Sequence, residues 1–173
     1  MLPASLAIHL WLAAIHPFED AAARAVVLLF TRTDCPISNR YAPEVRRVYE
    51  KYVSQGVRFY LVYPDRDETT VAIEKHRSEY GYAMPAIQDK SHEWVARASA
   101  KVTPEAALFL PSPNGGWRLV YHGRIDDRYI DFGKSRREAG VHDLQNAIEA
   151  ALAGRKVAQP VTKAIGCYIA DLR

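Results

Sequence analysis

The chain contains two cysteines, and the neighbourhood of the first, Cys35, indicates thiol chemistry. Residues 26–30 are all apolar, which is typical of a buried strand, and a short polar loop separates them from Cys35. Pro36 comes directly after the cysteine, where proline is common in the first turn of a helix. The sequence therefore predicts a strand that ends near Cys35 and a helix that begins there. Free backbone N–H groups and the helix dipole at such a terminus favour a thiolate.

Two polar neighbours of Cys35, Asp34 and Ser38, affect the expected chemistry. The Asp34 carboxylate opposes ionisation of the adjacent thiol, so we expect a moderately activated sulfur. Ser38 cannot form a disulfide, but its hydroxyl can donate a hydrogen bond toward the sulfur. Cys35 alone would support exchange through a mixed disulfide with a substrate. The alternative is that Cys35 has no chemistry and is a buried apolar residue, as free cysteines often are.

Three short motifs resemble those of the thioredoxin-like superfamily. Cys35-Pro36-Ile37-Ser38 occupies the place of a Cys-x-x-Cys motif, with Ser38 at the second cysteine. Pro43 falls where thioredoxins carry the proline that kinks their first helix. Val102-Thr103-Pro104, followed by the apolar run 105–110, resembles the cis-proline loop and the strand that it opens. Over roughly residues 24–155 the chain resembles this superfamily, in particular exported bacterial redoxin-domain proteins of the AhpC/TSA type.

The resemblance implies an α/β, thioredoxin-like fold, with a central mixed β-sheet flanked by helices. It implies a cis peptide between Thr103 and Pro104, in a loop that faces Cys35 and shapes a substrate groove. In the site that it implies, Cys35 is the attacking thiolate. Similar redoxins end in a Thr-x-x-x-Gly-Cys-like segment, here residues 162–167, which gives Cys167 a role as a resolving or partner thiol. No organic cofactor is predicted, because the chain has no phosphate-cradling glycine loop.

The tail that carries Cys167 has its own pattern. Residues 160–170 are rich in β-branched and apolar side chains and include Tyr168, so we predict an extended, packed tail. We expect it to bring Cys167 to the same end of the sheet as Cys35. A Cys35–Cys167 disulfide, a resolving thiol and a buried spectator all remain open for Cys167.

Two other functions compete with thiol–disulfide exchange. Peroxiredoxins carry a threonine or serine three residues before the cysteine and a proline four residues before that. Here these positions are Arg32 and Leu28, which disfavours a peroxidase, although Thr31 and Thr33 flank the place of the missing hydroxyl. The other alternative is a redox-inactive binding or structural module with a permanent disulfide.

Metal binding is not predicted. The six histidines are scattered, and none forms a pair with ligand spacing. The alternative is a copper site made by Cys35, Cys167 and His122.

Composition limits the remaining classes of function. At 173 residues the chain is expected to form one domain, predicted to be a monomer. The formal charge is +3, and basic residues alternate with acidic ones, so we expect no nucleic-acid partner. No apolar run is long enough to span a membrane. The expected partners are a protein or a small thiol or disulfide.

The N-terminus resembles a signal peptide in part. Residues 1–14 are apolar over the length of an h-region, but they lack a basic n-region. We interpret residues 1–23 as a candidate signal peptide or N-terminal segment, cleaved after Ala14 or near Ala23, and residues 24–173 as the domain. This favours an exported, periplasmic or membrane-associated protein with a periplasmic redox partner. The alternative is an amphipathic N-terminal helix that packs on the domain.

Between these sites the pattern predicts alternating strands and helices. Helices are expected from Cys35 to about Gln55, at 70–80, 91–98 and 143–153, and strands at 57–62, 86–88, 105–110 and 117–121. Two pieces exceed a minimal thioredoxin: the tail and a charged insertion before the last helix, residues 123–140. We predict that the insertion is a solvated loop, with a specificity loop beside Cys35 as the alternative.

Overall fold

The computed structural model describes residues 16–170 and 172. Its strands are β1 (Ala25–Phe30), β2 (Val57–Tyr63), β3 (Ala86–Gln88), β4 (Val102–Thr103), β5 (Glu105–Pro111), β6 (Trp117–Gly123), β7 (Tyr129–Asp131), β8 (Lys134–Ser135) and β9 (Cys167–Tyr168). Its helices are α1 (Pro36–Arg40), α2 (Ala42–Tyr52), α3 (Thr70–Tyr80), α4 (Glu93–Ala98) and α5 (Asp143–Leu152). The order of elements follows the predicted one closely.

The central sheet has five strands in the order β3-β2-β1-β5-β6. β1 pairs in parallel with β2, and β2 pairs in parallel with β3. β5 runs antiparallel to both β1 and β6, and the β5–β6 turn lies at the predicted Asn-Gly position. The predicted mixed sheet is therefore confirmed. Its central strand is β1, whose end carries the loop to Cys35.

β1 is buried on both faces, which explains its continuous apolar sequence. One face, with Val27 and Leu29, packs against apolar side chains of α2 and α5. The other face, with Leu28 and Phe30, packs against α4. Helices on both sides exclude water from the strand and give the following loop a rigid support.

The helix predicted to run from Cys35 to about Gln55 is divided in the structure. α1 ends at Arg40 and α2 begins at Ala42, and a short 3₁₀ turn, Val53–Gln55, follows α2. Pro43 lies in the first turn of α2, where its missing N–H costs nothing, whereas inside one long helix it would break a hydrogen bond. Gly56 ends the segment in a left-handed conformation, with φ of 86°, as expected.

α4 begins at Glu93 and is therefore shorter than the predicted 91–98 segment. His92 precedes it in a left-handed conformation, and its Nε2 lies 2.9 Å from the Pro64 carbonyl oxygen, within hydrogen-bond distance. Asp89 accepts a hydrogen bond from the Val95 backbone at 2.9 Å and so satisfies one free N–H of the first turn. These contacts with residues outside the helix are not visible in a local pattern.

The prediction of a solvated loop for residues 123–140 is wrong for the first part of that segment. Asp126 is 1% exposed, and its Oδ1 accepts hydrogen bonds from the Tyr41 hydroxyl at 2.6 Å and the Arg128 backbone at 2.9 Å. Asp127 accepts from the backbone of Gly140, which closes the segment. β7 and β8 form a hairpin whose tip is exposed. The segment is thus anchored to the junction of α1 and α2.

Most of the candidate signal peptide, residues 1–15, lies outside the described residues. Of the remainder, Phe18 packs its ring against Trp94, Phe109 and Trp117, and its carbonyl accepts a hydrogen bond from the Trp117 indole at 3.2 Å. Cleavage after Ala14 would keep these contacts, whereas cleavage near Ala23 would remove them. In the described part of the chain, no helix has the length and apolar character needed to cross a membrane.

Candidate active site

Cys35 lies where the sequence places it, between β1 and α1. The chain leaves β1 at Phe30, and Thr31 still donates its backbone N–H to Val62 of β2 at 2.9 Å. Cys35 is the residue before the first turn of α1, in an extended conformation, and Pro36 is the first residue of that helix. The cysteine is 1% exposed, so its sulfur is covered in the described structure.

The loop before β5 faces this sulfur. The Thr103–Pro104 peptide is cis, as predicted. The Cys35 thiol donates a hydrogen bond to the Thr103 carbonyl, with 3.1 Å between sulfur and oxygen. Thr103 and Pro104 are both buried. Two of the three motifs that carry the sequence resemblance therefore meet at one point.

The C-terminal tail brings the second cysteine to the same place. β9 pairs antiparallel with β4, and Cys167 lies opposite Thr103 in the register. The sulfur atoms of Cys35 and Cys167 are 2.6 Å apart, and both residues are free thiols. A disulfide bond is about 2.05 Å long, so a small shift would bring the two sulfurs to bonding distance. The predicted position of the tail is confirmed: Ile169 is buried, whereas the Tyr168 side chain, which alternates with Cys167 and Ile169 along the strand, is 79% exposed.

The tail is also held upstream of β9. The Thr162 hydroxyl accepts a hydrogen bond from the Arg124 backbone at 3.1 Å and pairs with the Tyr121 hydroxyl at 2.7 Å. Gly123 and Gly166 allow the close approach of the tail. A methyl group at Gly123 would overlap Thr162, and a methyl group at Gly166 would overlap the Thr103 carbonyl. The glycine before Cys167 thus lets β9 lie against the cis-proline loop.

A Gly166→Ala variant should lose much of this docking. The added methyl overlaps backbone, which cannot move cheaply, and overpacking typically costs about 1–3 kcal/mol. That cost lowers the equilibrium constant for docking of the tail by roughly 5- to 150-fold. Disulfide formation between Cys35 and Cys167 under a mild oxidant should slow accordingly, measured by loss of free thiols. Lys163→Ala, at an exposed position of the same tail, should oxidise at the wild-type rate. Equal rates for both variants would contradict this role of Gly166.

The two thiols differ in their tendency to ionise. Burial opposes ionisation of Cys35, but hydrogen bonds from the Cys167 thiol, the Ser38 hydroxyl and backbone groups of both residues outweigh it and lower the pKa of Cys35. Ser38 Oγ is buried and bound to no other group, so its proton is available to the Cys35 thiolate. Burial and the neighbouring Cys35 raise the pKa of Cys167 to about 12. Cys35 is therefore the first of the pair to become a thiolate.

The Asp34 carboxylate, expected to oppose this ionisation, has its charge compensated. Its side chain is largely exposed and pairs with Arg32 at 2.7 Å. Arg32 also pairs with Asp65 at 3.0 Å. Arg32 thus stands between two carboxylates, and the negative charge next to Cys35 is weakened.

Replacing Cys167 with alanine should raise the pKa of Cys35. The variant loses the thiol that donates to the Cys35 sulfur, while burial, which raises the pKa, is largely kept. The ultraviolet absorbance of the thiolate should therefore appear at higher pH than in the reduced wild-type protein. Cys167→Ser keeps an O–H donor at the same position, so its titration should move less. A Cys35 titration that is the same in the alanine variant and the wild type would show that Cys167 does not stabilise the thiolate.

Some residues around the site were not predicted. Glu68 is buried, and its Oε1 accepts a hydrogen bond from the Thr33 backbone at 2.6 Å. Burial, the largest influence, raises the pKa of Glu68. Asp65 and Glu68 follow β2, which runs parallel to β1, so they leave the sheet at the same end as Cys35. That topology was the signal that could have identified them.

The described residues contain one group of three side chains with metal-ligand spacing: Glu44, Asp126 and His142. Both oxygens of Glu44 accept hydrogen bonds from Arg47, at 2.8 and 2.7 Å. A guanidinium already bound to the carboxylate would repel a cation, so this group is better described as an ion-pair network. His122, considered for copper, has its Nδ1 3.4 Å from Glu105 and does not join the cysteines in such a group.

The sheet order, with an antiparallel β5 that begins at a cis-proline facing a cysteine, is that of the thioredoxin-like fold, so the predicted fold class is confirmed. Residues 14–116 match the AhpC/TSA family. This is more than half of the chain, and the protein belongs to that family.

Individual proteins resemble this chain in sequence or in fold. Thiol-disulfide oxidoreductase ResA of Bacillus thuringiensis (strain Al Hakam) is 27% identical over 90 residues, which are 52% of this chain and 51% of the relative. The chain thus spans about half the length of this curated relative. A hypothetical protein from Sinorhizobium meliloti 1021 has a TM-score of 0.71 at 25% identity and covers 86% of this chain and 80% of its own. The candidate thiol:disulfide interchange protein DsbE of Chlorobium tepidum has a TM-score of 0.55 at 20% identity, covers 76% of this chain and 82% of its own, and indicates the fold alone.

Proposed function

We propose that the protein is a thiol–disulfide oxidoreductase in which Cys35 and Cys167 form the redox pair. The observation that carries this proposal is the 2.6 Å separation of their sulfurs, which belong to two free thiols of unequal acidity. The name of the curated relative, thiol-disulfide oxidoreductase ResA, supports the same class of reaction.

In this proposal the pair exchanges two electrons with a thiol or disulfide substrate. The reduced protein holds a thiolate at Cys35 and a thiol at Cys167, and the oxidised protein holds a bond between the two sulfurs. Each step passes through a mixed disulfide with the substrate. Ser38 supplies a hydrogen bond to the thiolate, and Thr103 and Pro104 shape the groove around it. Asp34 and Pro36 flank the thiol without taking part in bond formation.

The partners and the location belong to the same proposal. The substrate is a protein or a small thiol or disulfide, and the protein works outside the cytoplasm with a redox partner there. The apolar residues 1–14 support export. An oxidising compartment also fits a pair of cysteines that can bond, because disulfides persist there and are rare in the cytosol.

A structural module with a permanent disulfide is the second candidate. It is favoured by one observation, the 1% exposure of Cys35, because a covered sulfur is protected from exchange. A peroxidase has less support, since Arg32, at the position of the peroxidase hydroxyl, is bound to Asp34 and Asp65.

A redox titration separates the first two candidates. The oxidised protein is equilibrated with dithiothreitol buffers of defined potential, and the fraction of free thiols is measured by alkylation and mass spectrometry. An exchange-active pair should have a midpoint potential above about −300 mV, whereas structural disulfides typically lie below it. A midpoint well below that value would reject the oxidoreductase in favour of the structural module.

A further inference from the structure

The two sulfurs of the redox pair differ in access. Cys35 is 1% exposed, and the residues around it, Ser38, Thr103 and Pro104, are buried as well. Cys167 is partly exposed, and the next residue of β9, Tyr168, projects its ring into solvent. With the tail docked, a molecule arriving from solvent meets the sulfur of Cys167 before that of Cys35.

The difference in exposure between Cys35 and Cys167 should persist in the oxidised protein, because the disulfide would keep the tail docked. A bond between the two sulfurs would hold β9 against β4, with Cys167 opposite Thr103. The tail could then not swing away to uncover Cys35 until that bond is broken. A substrate thiol must therefore break the bond from the side that is open, which is the side of Cys167.

From this geometry, and resting on the proposed function, we propose that a substrate thiol attacks the sulfur of Cys167 in the oxidised protein and that Cys35 is the leaving group. This differs from the arrangement expected from the sequence, in which the cysteine at the start of the helix bonds to the substrate. Cys167 is then the substrate-binding sulfur, and Cys35 is the internal thiolate.

The exchange moves two electrons from the substrate to the protein. The substrate thiolate forms a bond to the sulfur of Cys167, the Cys35–Cys167 bond breaks, and its electron pair leaves on Cys35 as a thiolate. A second thiolate of a dithiol substrate then attacks the substrate's own sulfur and releases Cys167, which takes up a proton. The substrate has lost two electrons as a new disulfide, and the protein has gained them as two free sulfurs.

The surroundings of Cys35 suit it to leave. A thiol of lower pKa leaves faster in exchange, and the pKa of Cys35 is lowered whereas that of Cys167 is raised. The Ser38 hydroxyl, buried and without a fixed partner, can donate to the new thiolate at once. The difference in access and the difference in pKa therefore both favour attack on Cys167 with departure of Cys35. If Cys167 were the leaving group, the less acidic thiol would depart and the covered sulfur would be attacked.

The edge of β9 offers a place for a polypeptide substrate. In the described chain, β9 pairs with β4 alone, so its outer edge faces no other strand. An extended chain can pair with such an edge through backbone hydrogen bonds. The substrate class that fits is thus a dithiol polypeptide with a cysteine in an extended segment.

Mapping the first mixed disulfide tests this inference on the wild-type protein. Fully oxidised protein is mixed with excess glutathione, quenched with acid after increasing times, freed of glutathione, alkylated and digested. Mass spectrometry then shows which cysteine carries glutathione and which carries the alkyl group. We expect the ratio of glutathione adducts on Cys167 to those on Cys35, extrapolated to zero time, to be at least ten.

Three other outcomes would each overturn the inference. Glutathione found mainly on Cys35, or equally on both cysteines, would overturn the inference. Either result would leave the proposed function intact. If the disulfide persists without an adduct at either cysteine, under conditions where the denatured protein is reduced, the proposed function fails as well.

Discussion

A Cys35→Ser variant should catalyse thiol–disulfide exchange no faster than the uncatalysed background. The chain has two cysteines, so their sulfurs are the only ones that can form a disulfide, and the serines at positions 35 and 38 would offer hydroxyls that cannot. The expected loss is complete. The exchange activity would be measured as turnover of a dithiol peptide in the presence of a disulfide co-substrate.

The matched control for this variant is Ser38→Ala. It keeps both sulfurs and removes one hydrogen bond to the thiolate, so it should retain turnover and shift its pH dependence upward. Circular dichroism would establish that both variants fold, which is expected because serine is close to cysteine in size. Turnover by folded Cys35→Ser above the background would remove Cys35 from the proposed mechanism.

Oxidation of the pair should stabilise the protein by about 4–5 kcal/mol in the free energy of unfolding. The two cysteines are 132 positions apart, and closing a loop of that length removes much of the conformational entropy of the unfolded chain. Unfolding in urea, followed by tryptophan fluorescence, would be compared between fully oxidised protein and protein kept reduced with dithiothreitol.

The control for the stability measurement is the double variant Cys35→Ala and Cys167→Ala. Its stability should not respond to dithiothreitol, so it reports any effect of the reductant itself. A difference below about 1 kcal/mol between the oxidised and reduced wild type would contradict the chain-entropy estimate. It would indicate that the reduced tail is already held, or that the unfolded chain stays compact.

The features that the sequence predicts well depend on residues close together in the chain. The apolar run of β1, the Cys35-Pro36 pair and the Thr103-Pro104 pair each constrain the backbone locally. Gly56 and Gly81 end their segments in left-handed conformations for the same reason. The fold family could be predicted because these local constraints occur in a characteristic order.

The features that the sequence does not reveal require contacts between distant residues. Asp126 belongs to a charged segment that looks solvated, and it is buried because Tyr41, 85 positions away, donates to it. Cys35 and Cys167 differ in exposure because β9 lies over Cys35. The residue types next to each cysteine in the sequence do not predict this difference.

The anchoring of the tail at Thr162 limits where Cys167 can go after the disulfide is reduced. If β9 detaches while Thr162 keeps its hydrogen bonds to Arg124 and Tyr121, five Cα-to-Cα steps separate this point from Cys167. Fully extended, they reach about 17 Å. Within so short a tether the effective concentration of Cys167 near Cys35 is on the order of millimolar. A dissolved monothiol would therefore need to approach millimolar concentration before it could compete with Cys167 for Cys35.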